Sequence, residues 1–405
     1  MITASHNPND QNGIKLFSPY RGMKPLPSDD SQLTRSILKQ KYSVIKSASL
    51  KGKRKDCRKK ALELFSEFTL APENSWIDQS VNLKNVMLVV DPANGSLAGI
   101  ARKIFTRAGF GKVFEVNGKL NGDVNVFSGV ADFEGRDRII AEQIKKTGGY
   151  FYRHKAVIKL FEVGRKYRPS LLKGRMRAVG TIFDADADRF FMLEYDPFKD
   201  LLWVLSGDET AILQARHLST RFPEKYNGSL YINTVESDLN AATAAEKMGL
   251  KPELTAVGDK WILLKILLKH LEQKAKHNAC PKEKRMVFQR EVKKLKKLGI
   301  TSIDSLKKLS NILGKKRGLK ENASPVLAVG SEETGHNITE SKFAQPDGEV
   351  MSIYSGNGIK SALNTLVATE HLNLSPAKYY NRISRPFTPG FKGTFYVYYI
   401  HQELF

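Results

Sequence analysis

Three aspartates at alternate positions, Asp184, Asp186 and Asp188, followed at once by Arg189, bear most directly on chemistry in this chain. Carboxylates that close repel one another unless a cation sits among them, and an all-oxygen ligand set favours Mg2+ or Ca2+. A calcium EF-hand loop is excluded, because it needs glycine at its sixth position and glutamate at its twelfth, where this chain has Arg189 and Tyr195. The plainer alternative is a solvated acidic turn. Against it, an apolar run from Ala178 to Phe183 feeds straight into the loop and two phenylalanines follow it, so the aspartates read as metal ligands. Beside such a cation, Arg189 suits another oxygen of a phosphate.

Three further clusters carry polar side chains of catalytic type. Ser5 stands among Thr3, His6 and Asn7, with Pro8 fixing the backbone beyond and Lys15 further on, so its hydroxyl can carry a covalent intermediate, although taken alone the stretch reads better as a polar N-terminal loop. Glu332, Thr334 and His336 alternate between Gly330 and Gly335 at the end of an apolar run, a pattern suited to sugar hydroxyls and proton relay, or to a simple polar turn. Gly258-Asp259-Lys260 offers a lysine that either meets a phosphate or is solvated.

These residues need a scaffold, and the sequence predicts one. Val86–Asp91, Lys112–Val116, Ala178–Phe183, Leu201–Leu205, Leu230–Val235 and Pro325–Val329 read as strands. Helices are expected over Ser96–Ala108, Ile139–Lys146, from Gly207 to about Leu218, Asn240–Met248, after Lys260, and over Ser355–His371. Ser28 to Ser75 reads as mainly helical, broken by the basic run Lys51–Lys55 and ending in a linker at Ala71–Asn74, while Tyr150–Arg177 has no clear pattern. Alternating strands and helices predict an α/β fold with a largely parallel sheet. The expected divisions are 1–78, 79–205, 206–372 and a tail, 373–405.

With 405 residues, 41% hydrophobic and 26% charged, the chain can bury several cores, and no apolar run is long enough to span a membrane. Two distant cysteines and no signal-like N-terminus point to a reducing cytoplasm and no zinc site. The net charge of +23 implies anionic partners, and 16 Lys/Arg against 5 Asp/Glu fall between Glu272 and Asn322. Helical spacing there favours a surface hairpin with solvated lysines over a nucleic-acid arm, since no aromatic residues interleave for base stacking.

The order Thr-Ala-Ser-His-Asn-Pro, Asp-x-Asp-x-Asp-Arg, Val-Gly-x-Lys, Glu-x-Thr-Gly-His resembles the α-D-phosphohexomutase family of phosphoglucomutases and phosphomannomutases. Val89-Val90-Asp91-Pro92-x-Asn94-Gly95 is also similar to that family. The resemblance runs from Ile2 to about Leu372, patchily over 150–177 and not across 272–322. It implies tandem three-layer α/β/α domains with mixed, largely parallel sheets, the first domain truncated. It also implies a carbohydrate-metabolism isomerase that moves phosphate between O1 and O6 of a hexose phosphate through a phosphoserine and a hexose 1,6-bisphosphate. By that resemblance Ser5 is the phosphorylated serine and completes a Mg2+ shell with Asp184, Asp186 and Asp188. Arg189 accompanies the phosphate, His6 and Lys15 handle protons, and Gly258, Lys260, Glu332, Thr334 and His336 bind substrate. Glucose, mannose and glucosamine stay undistinguished, as does the oligomeric state.

The chain departs from the family's pattern in three places. Ser5 is almost the first residue, where the family has a long preceding segment. Gly393-Thr394 does not match the fourth domain's phosphate-gripping loop, and 272–322 is an insertion. The alternatives to an active mutase are therefore an inactive remnant that binds Mg2+ and sugar phosphate, or an anion- or RNA-binding protein acting through the insertion.

Overall fold

The structure, a computed structural model, describes residues 1–41, 43, 55–120, 122–276, 280–300, 302–314, 325–345 and 348–390. The lysine run up to Arg54, the end of the insertion through Asn322, and Gly393-Thr394 lie outside the described residues.

The chain opens with two short strands, β1 (Ile2–Thr3) and β2 (Gly13–Ile14), paired antiparallel. A six-stranded sheet follows from β3 (Val86–Asp91), β4 (Lys112–Glu115), β5 (Arg138–Ile140), β6 (Arg177–Phe183), β7 (Phe190–Asp196) and β8 (Leu201–Leu205). Its spatial order is β4-β3-β6-β7-β8-β5. The β4–β3–β6 side is parallel, and β6–β7, β7–β8 and β8–β5 are antiparallel, so the sheet is mixed. Every residue of β3 and β7 is buried, which explains why β3 reads as an unbroken apolar run: both sheet faces are covered.

The second sheet contains β9 (Leu230–Thr234), β10 (Lys251–Thr255), β11 (Leu327–Ser331) and β12 (Asn337–Ile338), in the order β10-β9-β11-β12. Here β10, β9 and β11 run parallel and β12 antiparallel. A hairpin of β13 (Glu340–Ala344) and β14 (Val350–Tyr354) stands beside it.

Eleven helices matter to the packing among the described residues: α1 (Pro27–Leu38), α2 (Arg58–Leu70), α3 (Ala101–Arg107), α4 (Lys155–Lys166), α5 (Gly207–Arg221), α6 (Leu239–Lys247), α7 (Asp259–Lys276), α8 (Lys282–Leu298), α9 (Ile303–Leu313), α10 (Gly358–Glu370) and α11 (Pro376–Ser384). One face of the first sheet packs under α3, α10 and α11 through Ile104, Phe105, Leu363, Leu366 and Tyr380. The other packs under α4 through Val157, Leu160 and Phe161. Helix α10 falls by sequence in the 206–372 division, yet its apolar residues belong to the core of the first sheet. The start of the expected tail, α11, belongs there too: the Tyr379 hydroxyl donates to Glu194 at 2.9 Å.

Four expectations need correction. Ile139–Lys146 is not a helix: β5 and a short 3-10 turn over Ala141–Ile144 occupy it, because Ile139 is buried as a strand residue on the sheet edge. The expected linker at Ala71–Asn74 is a short helix, Pro72–Ser75, whose buried Asn74 donates to the carbonyls of Phe68 and Lys342 and accepts from the Lys342 amide. The helix expected from Ser96 begins only at Ala101, since Gly99 takes a left-handed φ of +72° and the turn before it is irregular. Strand β7 went unread because Glu194 and Asp196 interrupt its apolar pattern. Glu194 is buried against the Arg177 guanidinium at 2.9 Å, which makes a carboxylate tolerable inside the sheet.

The insertion forms the expected hairpin, α8 and α9, with Lys293, Lys294, Lys296, Lys297, Lys307 and Lys308 exposed. Its apolar stripe is not free. Phe288, Val292, Leu306 and Leu309 pack with Leu264, Leu267 and Leu271 of α7, and with Met23 and Leu26 of the N-terminal segment.

Candidate active site

The triple-aspartate loop is a hairpin turn between β6 and β7, two strands buried almost throughout. Ala187 turns it with a left-handed φ of 60°. Neighbouring backbone holds it from several sides: the amides of Ser96 and Gly358 donate to the carbonyls of Ala185 and Ala187 at 2.7 and 2.8 Å. Gly95 is required for that approach, because a Cβ there would lie 2.3 Å from the Ala185 carbonyl oxygen. Ligand atoms of Asp184, Asp186 and Asp188 lie within 4.8 Å of one another.

Ser5 arrives from the N-terminal hairpin with a left-handed φ of 55°. Its amide donates to Thr3 Oγ1 at 2.8 Å, and its hydroxyl donates to Asp184 Oδ2 at 3.0 Å. The Ser5 carbonyl accepts from the Ala185 amide at 3.0 Å and from Asn125 Nδ2 at 2.9 Å. Lys15, directly after β2, places its ammonium against Asp186 Oδ2 and 3.1 Å from Asp188 Oδ2. Arg189 Nη1 donates to His6 Nδ1 at 2.9 Å, and its own amide donates to Asp184 Oδ1 at 3.2 Å.

The second loop closes the other side. Glu332 and His336 bracket a tight turn in which the Glu332 amide donates to the His336 carbonyl at 2.9 Å. Gly335 adopts φ +99° with the Phe190 carbonyl oxygen 2.8 Å from where a Cβ would stand, so the turn lies directly on the start of β7. His336 bridges the two loops, with Nδ1 2.5 Å from Glu332 Oε2 and Nε2 2.9 Å from Asp188 Oδ1. The Gly258 amide donates to Glu332 Oε1 at 2.7 Å.

Electrostatics follow from this crowding. Burial, then repulsion from Asp188 and Asp186, pushes Asp184 up to about 8. Against burial, His336 and then Lys15 hold Asp188 well below the usual carboxylate range. Burial lowers His336, but Asp188 and Glu332 outweigh it and raise the imidazole to about 10. Burial and the Arg189 guanidinium lower His6 to about 4, so it is neutral at physiological pH. Burial opposes the Lys15 charge, yet Asp188 and Asp186 raise its pKa above the ordinary value. The repulsion that raises Asp184 is what a cation among these carboxylates would relieve.

The structure therefore brings together Ser5, His6, Lys15, Asp184, Asp186, Asp188, Arg189, Glu332, His336 and the Gly258 amide. Thr334 sits half-buried in the same turn. Lys260 is turned elsewhere: its ammonium lies 3.2 Å from Asp30 and 3.5 Å from the Pro25 carbonyl, against the start of α1. Its charge is paired with Asp30 there, away from the aspartate cluster. Two carboxylates missed in the sequence face the same guanidinium. Burial raises both Glu134 and Glu236, and Arg189 pulls each back down. Glu236 follows the carboxyl end of β9, a position that flags it in an α/β sheet, whereas nothing local marks Glu134.

The chain is similar to known proteins in parts of its length. Family models for phosphoglucomutase/phosphomannomutase alpha/beta/alpha domain I and domain III match residues 1–43 and 206–273. A phosphoglucosamine mutase of Bifidobacterium longum (strain DJO10A) is 27% identical over 270 residues, covering 66% of this chain and 50% of the relative. Another, from Actinobacillus succinogenes, is 28% identical over 267 residues, with 66% and 49% covered. The chain thus spans about half the length of the curated relatives it matches. Among solved structures, an Aspergillus fumigatus N-acetylphosphoglucosamine mutase in complex with glucose 1,6-bisphosphate superposes with a TM-score of 0.51 at 16% identity, covering 94% of this chain and 72% of the other. That likeness concerns the fold.

Proposed function

Because the chain belongs to the α-D-phosphohexomutase family, we propose that it moves a phosphoryl group between O1 and O6 of a hexose phosphate, with Ser5 as the carrier. The observation that carries this reading is the meeting of the Ser5 hydroxyl with the aspartate cluster, 3.0 Å from Asp184, from a distant part of the chain. The donor set fits Mg2+: three convergent carboxylates, one oxygen of which, Asp186 Oδ1, is buried without a hydrogen-bond partner, and a serine hydroxyl beside them. Asp184, Asp186 and Asp188 would hold the ion, which when bound supplies neutralising charge to phosphoryl oxygens.

The remaining work falls to the chain's own residues. In one half-reaction the bond from Ser5 Oγ to phosphorus breaks while phosphorus bonds to the free sugar hydroxyl oxygen. The hydroxyl's proton passes to water, which restores the proton donor, and Ser5 Oγ gains one from that donor. Lys15, held protonated by its two aspartates, is a donor for that proton. The hexose 1,6-bisphosphate then turns over and returns its other phosphate to Ser5. Arg189 has a buried Nε without a hydrogen-bond partner, a donor suited to a phosphate oxygen. Its contact with His6 Nδ1 fixes the tautomer, so the His6 proton sits on Nε2. Glu332 and Thr334 hold sugar hydroxyls, each Glu332 oxygen having a lone pair to spare beyond its bonds to Gly258 and His336. The names of the curated relatives make glucosamine phosphates the first substrates to try, beside glucose and mannose phosphates. Both cysteines, Cys57 and Cys280, are free, and we place the activity in the reducing cytoplasm.

The test is the intact mass of the chain after incubation with Mg2+ and glucose 1,6-bisphosphate. One added phosphate, absent in Ser5→Ala and in Asp186→Ala, is the expected result. No added phosphate in a chain whose circular dichroism is that of a folded α/β protein sinks the carrier role.

A further inference from the structure

A large cavity lies apart from the aspartate site. It has a volume of about 1030 Å³ and lies where α3, the ends of β3 and β4, and the start of α4 meet. Arg102, Lys103, Arg107, Lys119, Arg153 and Lys155 line it, against two carboxylates, Glu115 and Asp123. Among the described residues none of the six cations takes part in an ion pair. Glu115 is already committed, accepting from the amides of Gly99 and Arg102 at 2.7 and 2.9 Å.

A merely solvated basic face would be convex and would lack an aromatic. This one is concave, and Phe127 stands on its rim with 44% of its surface exposed. The loop pays backbone strain to hold it there: Asn125 and Phe127 have φ of 59° and 47°, a region bulky side chains avoid. One face of the ring carries the Arg153 guanidinium, 5.2 Å from its centroid. Concentrated cations beside a presented ring make a place for a phosphate chain and a planar base.

We propose that this cavity binds a nucleoside triphosphate, its phosphates on the arginines and lysines and its base on Phe127. The loop that presents Phe127 also holds the Ser5 segment, which gives the ligand a handle on Ser5. Asn125 Nδ2 donates to the carbonyls of Ser5 and Asn7 at 2.9 and 2.7 Å, and Asn9 Nδ2 donates to the Gly122 carbonyl at 2.6 Å. The proposal is independent of the mutase reading, because none of the six cations belongs to the aspartate site.

Calorimetric titration of the full chain with ATP and with tripolyphosphate, in EDTA, tests it. Expected are one saturable ATP site per chain and tripolyphosphate weaker by about tenfold, the worth of one stacked base. Arg102→Gln with Arg107→Gln, on the exposed face of α3, should weaken both ligands by more than about tenfold. Phe127→Ala should bring ATP down to tripolyphosphate, and Phe127→Trp should keep the difference. The proposal is overturned by an absence of saturable binding, or by equal affinities that Phe127→Ala leaves unchanged. It is equally overturned if Arg189→Ala abolishes binding while the α3 double variant retains it, for the anion then sits in the aspartate site.

Discussion

The two halves of the aspartate site are held by opposite means. The Asp184–Arg189 loop grows out of β6 and β7, strands buried almost throughout in the six-stranded sheet. The Ser5 segment hangs on a pair of two-residue strands with Ile2 75% and Ile14 72% exposed, which contribute almost no core of their own. Hydrogen bonds to Ala185 and Asn125 hold it at the site, and further support is remote. Met23 and Leu26 are buried in the helical cluster of α7, α8 and α9, Lys24 reaches Asp259 at 2.8 Å, and Lys260 reaches Asp30 at 3.2 Å. The lysine-rich insertion is thus a platform for the segment that presents Ser5 and Lys15. A rigid loop and a clamped one teach that chemistry here depends on packing far from the chemistry.

Truncating each support separates the two. Leu193→Ala in β7 and Leu306→Ala in α9 both delete a fully buried leucine side chain, and each should cost about 2–5 kcal/mol. The consequences differ. Leu193→Ala should lower the midpoint of global denaturation, whereas Leu306→Ala should first expose residues 1–41 to limited proteolysis and slow phosphate uptake at Ser5. Equal proteolytic protection of that segment in both variants would remove the platform role.

Acid should act on the sheet and spare the platform. His154, at the N-terminus of α4 beside Phe133 and Phe151, is buried and lowered to about 4, chiefly by that burial. Its folded pKa lies below its unfolded value of 6.5, so the unfolded chain binds the proton first. Stability from this group is complete above about 6.5, falls as pH drops towards about 4, and declines no further below that, a span of about 3 kcal/mol. Denaturation midpoints followed through tryptophan fluorescence between pH 7 and 4 should show that slope, and His154→Phe should flatten it. An unchanged slope in the variant assigns the acid sensitivity to other groups.

Much of this organisation was legible in the sequence. Strands buried on both faces announce themselves as apolar runs, so β3, β6, β8, β9 and most of β11 were visible, and the aspartate triplet could be placed at a strand's end. Pairings that only tertiary structure supplies were not. Glu194 looks like a surface residue until Arg177 is found beneath it, Asn74 looks like a linker residue until β13 lies across it, and Lys260 looks free until Asp30 arrives from the N-terminal segment. The insertion's apolar stripe was seen, but what it covers could not be, because Met23 and Leu26 lie hundreds of residues away. The same distance hid Glu134, which only the fold brings within 4.0 Å of His6 Nε2 and under the influence of the Arg189 charge.

The smallest expected effect probes the joint between the platform and the N-terminal segment. Asp29 Oδ2 accepts from the Leu26 amide at 3.0 Å and from the Ile303 amide at 3.0 Å. One carboxylate therefore satisfies the exposed amides at the starts of both α1 and α9, where the helix dipoles favour negative charge. Asp29→Ala should cost about 1 kcal/mol, and Asp29→Asn about half of that, since the amide oxygen still accepts while the charge is lost. Hydrogen exchange reads the location directly: amides of residues 26–31 and 303–306 should lose protection together in Asp29→Ala, with those of β6 and β7 unchanged. Loss of protection at one helix start alone would mean that the carboxylate caps that helix and does not join the two, leaving Met23, Leu26 and the Lys24–Asp259 and Lys260–Asp30 pairs as the clamp.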